Sequence, residues 1–168
     1  MSQTYRVGII GCSGMGKSHA NAYTQNPTTK LVAAMDIRPE SAKKLAAEFS
    51  ISAVYTDYKE MLTKEDLDLV SISTWQGVRA EITVAAANAG GKGILGEKPM
   101  AAFLGEANDM IEVREKHGVM LAIGHQGRFS AVNTEIRRLI RDGAIGENQP
   151  CFIDVANLMP ACLISAPT

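Results

Sequence analysis

The chain has 168 residues, 46% of them hydrophobic and 21% charged, and a net charge of −1. This suits one globular domain with a sizeable core and argues against a nucleic-acid or anionic-membrane partner. No apolar run is long enough to span a bilayer, the polar opening residues predict no secretory leader, and three widely spaced cysteines (Cys12, Cys151, Cys162) fit a reducing cytoplasm rather than a disulfide framework.

Val7 to Ile10 reads as a buried strand that breaks into a glycine-rich turn, Gly11 to Gly16. A helix then runs from near Met15 to Asn26, where Pro27 stops it. Strand, turn and helix N-terminus make an anion site, because unpaired amides and the positive end of the helix dipole face whatever lies over the turn. Two motifs compete. In the dinucleotide pattern G-x-G-x-x-G, Gly11 and Gly16 take the first and third positions, Ser13 takes the second, and Gly14 follows. In the P-loop pattern G-x-x-x-x-G-K-[ST], Gly11, Gly16, Lys17 and Ser18 match throughout. The loop by itself leaves both open, beside a plain strand-to-helix turn.

The second strand runs Lys30 to Met35 and delivers Asp36. An acid there can accept the adenosine ribose hydroxyls of a dinucleotide, or hold magnesium if the loop is a P-loop. Arg38 lies within reach of a 2′-phosphate, yet Asp36 favours NAD slightly over NADP. A helix follows on Ala42, Leu45, Ala46 and Phe49, then a short strand at Ala53 to Tyr55 and a one-turn helix from Asp57 to Leu62. The fourth strand, Leu67 to Ser73, ends in Thr74, Trp75 and Gln76, so Ser73 to Gln76 should line a crevice at the strand's carboxyl end. Trp75, the only tryptophan, either flanks a cofactor ring or fills an apolar gap.

Val78 to Ala89 reads as an alanine-rich helix, and Lys92 to Gly96 as a fifth strand delivering Glu97-Lys98-Pro99. A charged pair at that place is either a site group with shifted pKa or a surface ion pair. Lys98 could pass a proton or hydrogen bond to a substrate oxygen. Ala101 to His117 is expected to be a helix with Leu104, Ala107 and Ile111 on one face; Gly118 suits its C-terminus. The sixth strand, Val119 to Gly124, ends in His125, followed by Arg128 and Phe129. Val132, Ile136, Leu139 and Ile140 mark a last helix, ended by Gly143. Beyond it lies one strand-like run, Cys151 to Val155. Six strands alternating with helices predict an α/β Rossmann fold, a doubly wound parallel sheet with helices on both faces. No Cys/His cluster has metal-site spacing.

Several blocks together resemble the N-terminal domain of the glucose–fructose oxidoreductase/inositol dehydrogenase/MocA-like (Gfo/Idh/MocA) oxidoreductases. They are Val7 to Ala20 with His19-Ala20, Asp36, Tyr58 to Leu62, Ser71 to Thr74, Ala80-Glu81, Glu97-Lys98-Pro99-Met100, Gly124-His125-Gln126-x-Arg128-Phe129 and Gly143-Ala144-Ile145-Gly146. The resemblance implies NAD(P) binding and hydride transfer at a hydroxyl-bearing carbon of a sugar, cyclitol or similar small molecule. It assigns Lys98 as the active-site lysine and Glu97 to the nicotinamide side. It assigns Gly11, Ser13, Gly14, Met15 and Gly16 to the pyrophosphate and Asp36 to the adenosine ribose. By their place at and just beyond the carboxyl end of the sixth strand, His125 and Arg128 are expected to line the site. Ser13, Trp75-Gln76 and Arg79 depart from the usual glycine, Pro-Asn and histidine.

The implied domains are residues 1–147 for cofactor and 148–168 as the beginning of a mostly missing α/β substrate domain. On that reading the chain binds dinucleotide with little turnover, and an exposed apolar face favours a homo-oligomer. A non-catalytic NAD(P)-sensing module and a P-loop nucleotide-binding protein are the alternatives.

Overall fold

The computed structural model describes residues 3–144 and 146. Strand β1 (Tyr5–Ile10) shows in small why the sheet forms. Val7 and Ile9 bury into one face and Ile10 into the other, so from Val7 onward the strand carries no polar side chain, as suits a segment covered on both sides. Helix α1 (Gly14–Gln25) and β2 (Thr29–Met35) follow, then α2 (Pro39–Phe49) and β3 (Ala53–Tyr55). The second half repeats the plan with α3 (Tyr58–Lys64), β4 (Leu69–Ile72), α4 (Gln76–Asn88), β5 (Gly93–Gly96), α5 (Leu104–His117) and β6 (Met120–Ile123).

All strand pairs are parallel, in the order β3-β2-β1-β4-β5-β6. The chain winds outward from β1 to β3, returns to the middle, and winds outward again from β4 to β6. The reversal between β1 and β4 is the point at which such sheets open a ligand crevice at their carboxyl edge.

Two cores flank the sheet. On one face Ala20 of α1 and Ala42, Leu45 and Ala46 of α2 pack with Val7, Ile9, Leu31 and Ala34. On the other, Met61, Ile82, Ala86 and Val113 from α3 to α5 pack with Ile10, Val32, Val70 and Ile72. The alanines let helix backbones lie close to the strands. Each fully buried Ile or Val contributes about 1.5–3 kcal/mol relative to an exposed one.

The elements agree with the expected ones to within a few residues, with two corrections. Helix α3 spans seven residues rather than one turn, since Asp57 accepts the Lys59 amide at 2.8 Å as an N-cap and Met61 drops into the core. In α5 the buried residues are Met110 and Val113, whereas Leu104 is 79% exposed and Ile111 41% exposed. The Leu104-Ala107-Ile111 stripe and the Met110-Val113 stripe both satisfy helical spacing, and packing against α4 selects the second.

The chain divides into two compact units, the first ending at His125 and the second beginning at Gln126. The described part of the second holds a 3₁₀ turn (Gln126–Phe129) and α6 (Ala131–Arg141). Ser130 caps α6 by accepting the Asn133 amide at 3.2 Å, and Val132, Ile136 and Ile140 form an exposed apolar stripe along it. The strand expected at Cys151 to Val155, and the proposed domain start at 148–168, lie outside the described residues. Among the described residues no helix is long and apolar enough to cross a membrane, and no cluster could hold a metal ion.

Candidate functional site

Two glycines of the turn after β1, Gly11 and Gly16, cannot be replaced without moving backbone. Gly11 has φ +90°, and a Cβ there would meet the Ser73 carbonyl oxygen at 2.8 Å. A Cβ on Gly16 would stand 1.8 Å from the Gly11 carbonyl oxygen. Gly14 has φ +37° but open space around it. Ser13, at the second motif position, precedes α1 without capping it; its hydroxyl accepts from the Arg38 guanidinium at 2.6 Å. The first turn of α1 carries no acid and no side-chain cap, and Met15 there is 39% exposed. The Gly14 and Met15 end of the helix is therefore a positive terminus open to an anion.

Lys17 is turned to Glu48 on α2, at 2.7 Å. In a P-loop that lysine reaches phosphate, so the perfect match of the Gly11 to Ser18 pattern does not carry P-loop geometry here.

Asp36 ends β2 beside this turn, 6% exposed. One carboxylate oxygen accepts the Cys12 amide at 2.9 Å and the other the Arg38 amide at 3.0 Å. A carboxylate oxygen has a second lone-pair direction, so acceptor capacity remains. Burial, aided by the Asp36 charge, pushes the Cys12 thiol up to about 12. Alkylation of Cys12 at pH 8 is therefore expected to be negligible, with or without cofactor. Mass spectrometry of its peptide after iodoacetamide treatment checks this, and fast labelling at pH 8 contradicts it.

A cleft of about 470 Å³ opens at the carboxyl edge. Gly11 and Ser13 border it, Asp36, Ile37 and Arg38 form one wall, and Ser73, Thr74, Trp75 and Val78 form the other. Tyr58 donates to Glu81 at its margin. Gln76 is not on its lining but opens α4. Ile37 and Trp75 are 81% and 68% exposed, two large apolar faces at the rim. The Thr74 hydroxyl is shielded from solvent yet has no protein partner.

Alongside, the Glu97 amide donates to the Ile72 carbonyl and the Gly124 amide to the Gly96 carbonyl, so the ends of β4, β5 and β6 follow in a row. Lys98 is exposed on the loop after β5, and His125 is exposed after β6. Glu97 is buried rather than paired with Lys98 at the surface. Its carboxylate bonds His19 Nε2 at 3.1 Å and accepts the Lys98 amide at 3.2 Å. His19 Nδ1 is in turn hydrogen-bonded with Ser71 Oγ at 2.7 Å and Ser73 Oγ at 3.2 Å. A Cβ on Gly124 would touch Glu97 Oε1 at 2.6 Å, so this glycine makes room for the carboxylate. Arg128 belongs to the second unit, where its guanidinium lies 5.7 Å from the Phe129 ring centre.

The sequence reading missed the walls made by Ile37, Tyr58, Val78 and Glu81, and the linked roles of His19, Ser71 and Arg79. Tyr58, Ser71 and Glu81 stand in the blocks that carry the resemblance and Arg79 among its departures, but without these roles, and His19 stands one helical turn after Gly16 on the face toward the sheet.

Glycine cradle, uncapped helix end, buried acid and switch-point cleft define a dinucleotide-binding domain of the doubly wound class. Comparison with known proteins makes this specific: residues 5–125 match the Gfo/Idh/MocA family, described as an oxidoreductase family with an NAD-binding Rossmann fold, and the chain belongs to it. It is 32% identical over 146 residues to the uncharacterized oxidoreductase YrbE of Bacillus subtilis, covering 87% of this chain and 42% of that protein. It is 29% identical over 160 residues to an inositol 2-dehydrogenase/D-chiro-inositol 3-dehydrogenase of Halalkalibacterium halodurans, covering 94% and 45%. The crystal structure of scyllo-inositol dehydrogenase from Lactobacillus casei with NAD(H) and scyllo-inositol superposes with a TM-score of 0.80. That match has 26% identity and covers 86% of this chain and 43% of that one. The chain thus spans less than half the length of these relatives.

Proposed function

We propose that this domain binds NAD(H) across the carboxyl edge of the sheet and serves a dehydrogenase acting on a hydroxyl-bearing carbon of an inositol, sugar or similar polyol. The observation that carries the reading is the alignment of Asp36, the Gly11 turn, Thr74 and Lys98 at the ends of β2, β1, β4 and β5. Those four strands span three spacings, about 15 Å at roughly 4.8 Å each, which suits an extended dinucleotide.

The residues fit the cofactor. The Gly11–Gly16 cradle brings bare backbone to a pyrophosphate, and the α1 terminus supplies positive potential. Asp36 accepts the adenosine ribose hydroxyls, and its charge opposes a 2′-phosphate, which favours NAD over NADP. Ile37 and Trp75 offer apolar faces to a base. The unpartnered Thr74 hydroxyl is available to the cofactor's polar groups.

The nicotinamide, when bound, accepts or delivers the hydride. Lys98 hydrogen-bonds the substrate oxygen and takes or returns its proton as the carbon changes oxidation state. Glu97 holds the Lys98 amide from below, fixing where that loop starts. The proposed substrate class follows the named inositol dehydrogenases among the relatives.

Calorimetric titration with NADH, NADPH and Mg-ATP tests this. NADH should bind most tightly. Asp36→Ala should weaken it at least tenfold, the scale of a lost hydrogen bond to a charged group; Asp36→Asn, which keeps an acceptor for the Cys12 amide, separates ribose contact from loop damage. Tight Mg-ATP binding without a dinucleotide signal overturns the reading.

A further inference from the structure

The loop that carries Lys98 is held from behind by a buried arginine. Arg79 lies on α4 and is 2% exposed. Its Nη1 donates to the Glu97 carbonyl at 2.6 Å and also to the Pro99 carbonyl, the residues on either side of Lys98. Its Nη2 donates to the Thr74 carbonyl, on the wall of the cofactor cleft. The stem lies along β5, within 3.4 Å of where a Cβ on Gly96 would stand.

A guanidinium is an expensive group to bury for packing alone, since an isolated charge in the interior is strongly unfavourable. Burial works against its charge, and the Glu97 carboxylate works for it. What it provides in return is a planar fork of donors in fixed relative orientation, which an ammonium or an apolar side chain cannot offer. Here the fork spans two loops that leave neighbouring strands, and satisfies carbonyls that strand pairing leaves over.

We infer that Arg79 is a positioning residue that ties the cofactor wall at Thr74 to the Lys98 loop, so that ordering one orders the other. The inference rests on the proposed role of Lys98 beside the cofactor, but the tie itself is a property of the chain without ligand. Arg79 is enclosed behind the loops and acts through Thr74, Glu97 and Pro99. Its consequence for binding is that a dinucleotide meeting the Thr74–Trp75 wall finds Lys98 already placed, with less ordering left to do on association.

Arg79→Met and Arg79→Lys test it in the whole chain. Hydrogen exchange is followed in the peptides holding residues 73–76 and 97–100, alongside Trp75 fluorescence anisotropy, thermal melting and NADH calorimetry. In Arg79→Met, exchange should rise at least tenfold in both peptides, Trp75 anisotropy should fall, and NADH affinity should drop about tenfold while a cooperative melt persists. Arg79→Lys should lie between the two. Faster exchange in only one peptide, or a lower melting temperature with both peptides unchanged, overturns the tie. If Arg79→Met does not fold, Arg79→Lys decides by the same exchange criterion. Exchange is measured without cofactor, so absence of NADH binding in the parent would sink the proposed function and leave this test standing.

Discussion

Gly16→Ala should abolish dinucleotide binding and lower the melting temperature by about 2–12 °C. The added methyl would sit 1.8 Å from the Gly11 carbonyl oxygen, far inside contact distance. That oxygen belongs to backbone, with no rotamer to escape into. Gly11 is pinned in turn, its amide donating to the Met35 carbonyl at 2.8 Å. Relief therefore requires α1 to move off β1, disturbing fully buried Ala20 and the His19 bonds to Ser71, Ser73 and Glu97. Overpacking of this kind costs about 1–3 kcal/mol, and in a chain of this size each kcal/mol is worth roughly 2–4 °C. Gly14→Ala is the control. Its Cβ would meet nothing within 4 Å, so only the positive φ is strained, at about 1 kcal/mol. Calorimetric melting and NADH titration of both variants distinguish them; a Gly16→Ala protein that melts and binds like its parent contradicts the cradle.

The second large effect belongs to Glu97. Glu97→Ala removes the partner of His19 Nε2, the acceptor of the Lys98 amide and the charge facing buried Arg79. Leaving one member of a buried ion pair without the other costs about 3–5 kcal/mol. Glu97→Gln keeps the shape and an acceptor oxygen, so it should lose less than half as much. Urea denaturation midpoints with an unchanged slope measure both. A loss under about 1 kcal/mol for Glu97→Ala would show that the carboxylate is incidental to the fold.

Most of the architecture could be read from the chain because its central strands are buried on both faces. Apolar runs such as Val7 to Ile10, closed by Gly11, and Leu31 to Met35, closed by Asp36, mark strands whatever helices cover them. The place of Gly11, Asp36 and Thr74 on the cleft was equally legible, since they sit at strand ends and position is their signal. Other features depend on three dimensions. Glu97 and Lys98 read either as a site pair or as a surface ion pair, and spacing could not choose; the partners of Glu97, His19 and Arg79, stand 78 and 18 residues away along the chain. The buried stripe of α5 could not be chosen from spacing, because two phases of the same helix are apolar and only contact with α4 separates them. The P-loop match shows the reverse case: a perfect string whose lysine is engaged by Glu48.

The hydrogen bond from the Cys12 amide to Asp36 has a bearing on how cofactor preference could change over evolutionary time. The acid proposed to choose NAD also anchors the glycine turn and, through its other oxygen, the start of the following loop. A lineage drifting toward a phosphorylated cofactor cannot simply delete that charge; it must keep an acceptor for two amides at the same place. Asparagine and serine are conservative steps that retain one, while alanine or a basic residue would loosen the turn before any new specificity could be selected. On the proposed reading, cofactor choice and fold integrity rest on a single side chain, which narrows the mutational paths between one cofactor and the other.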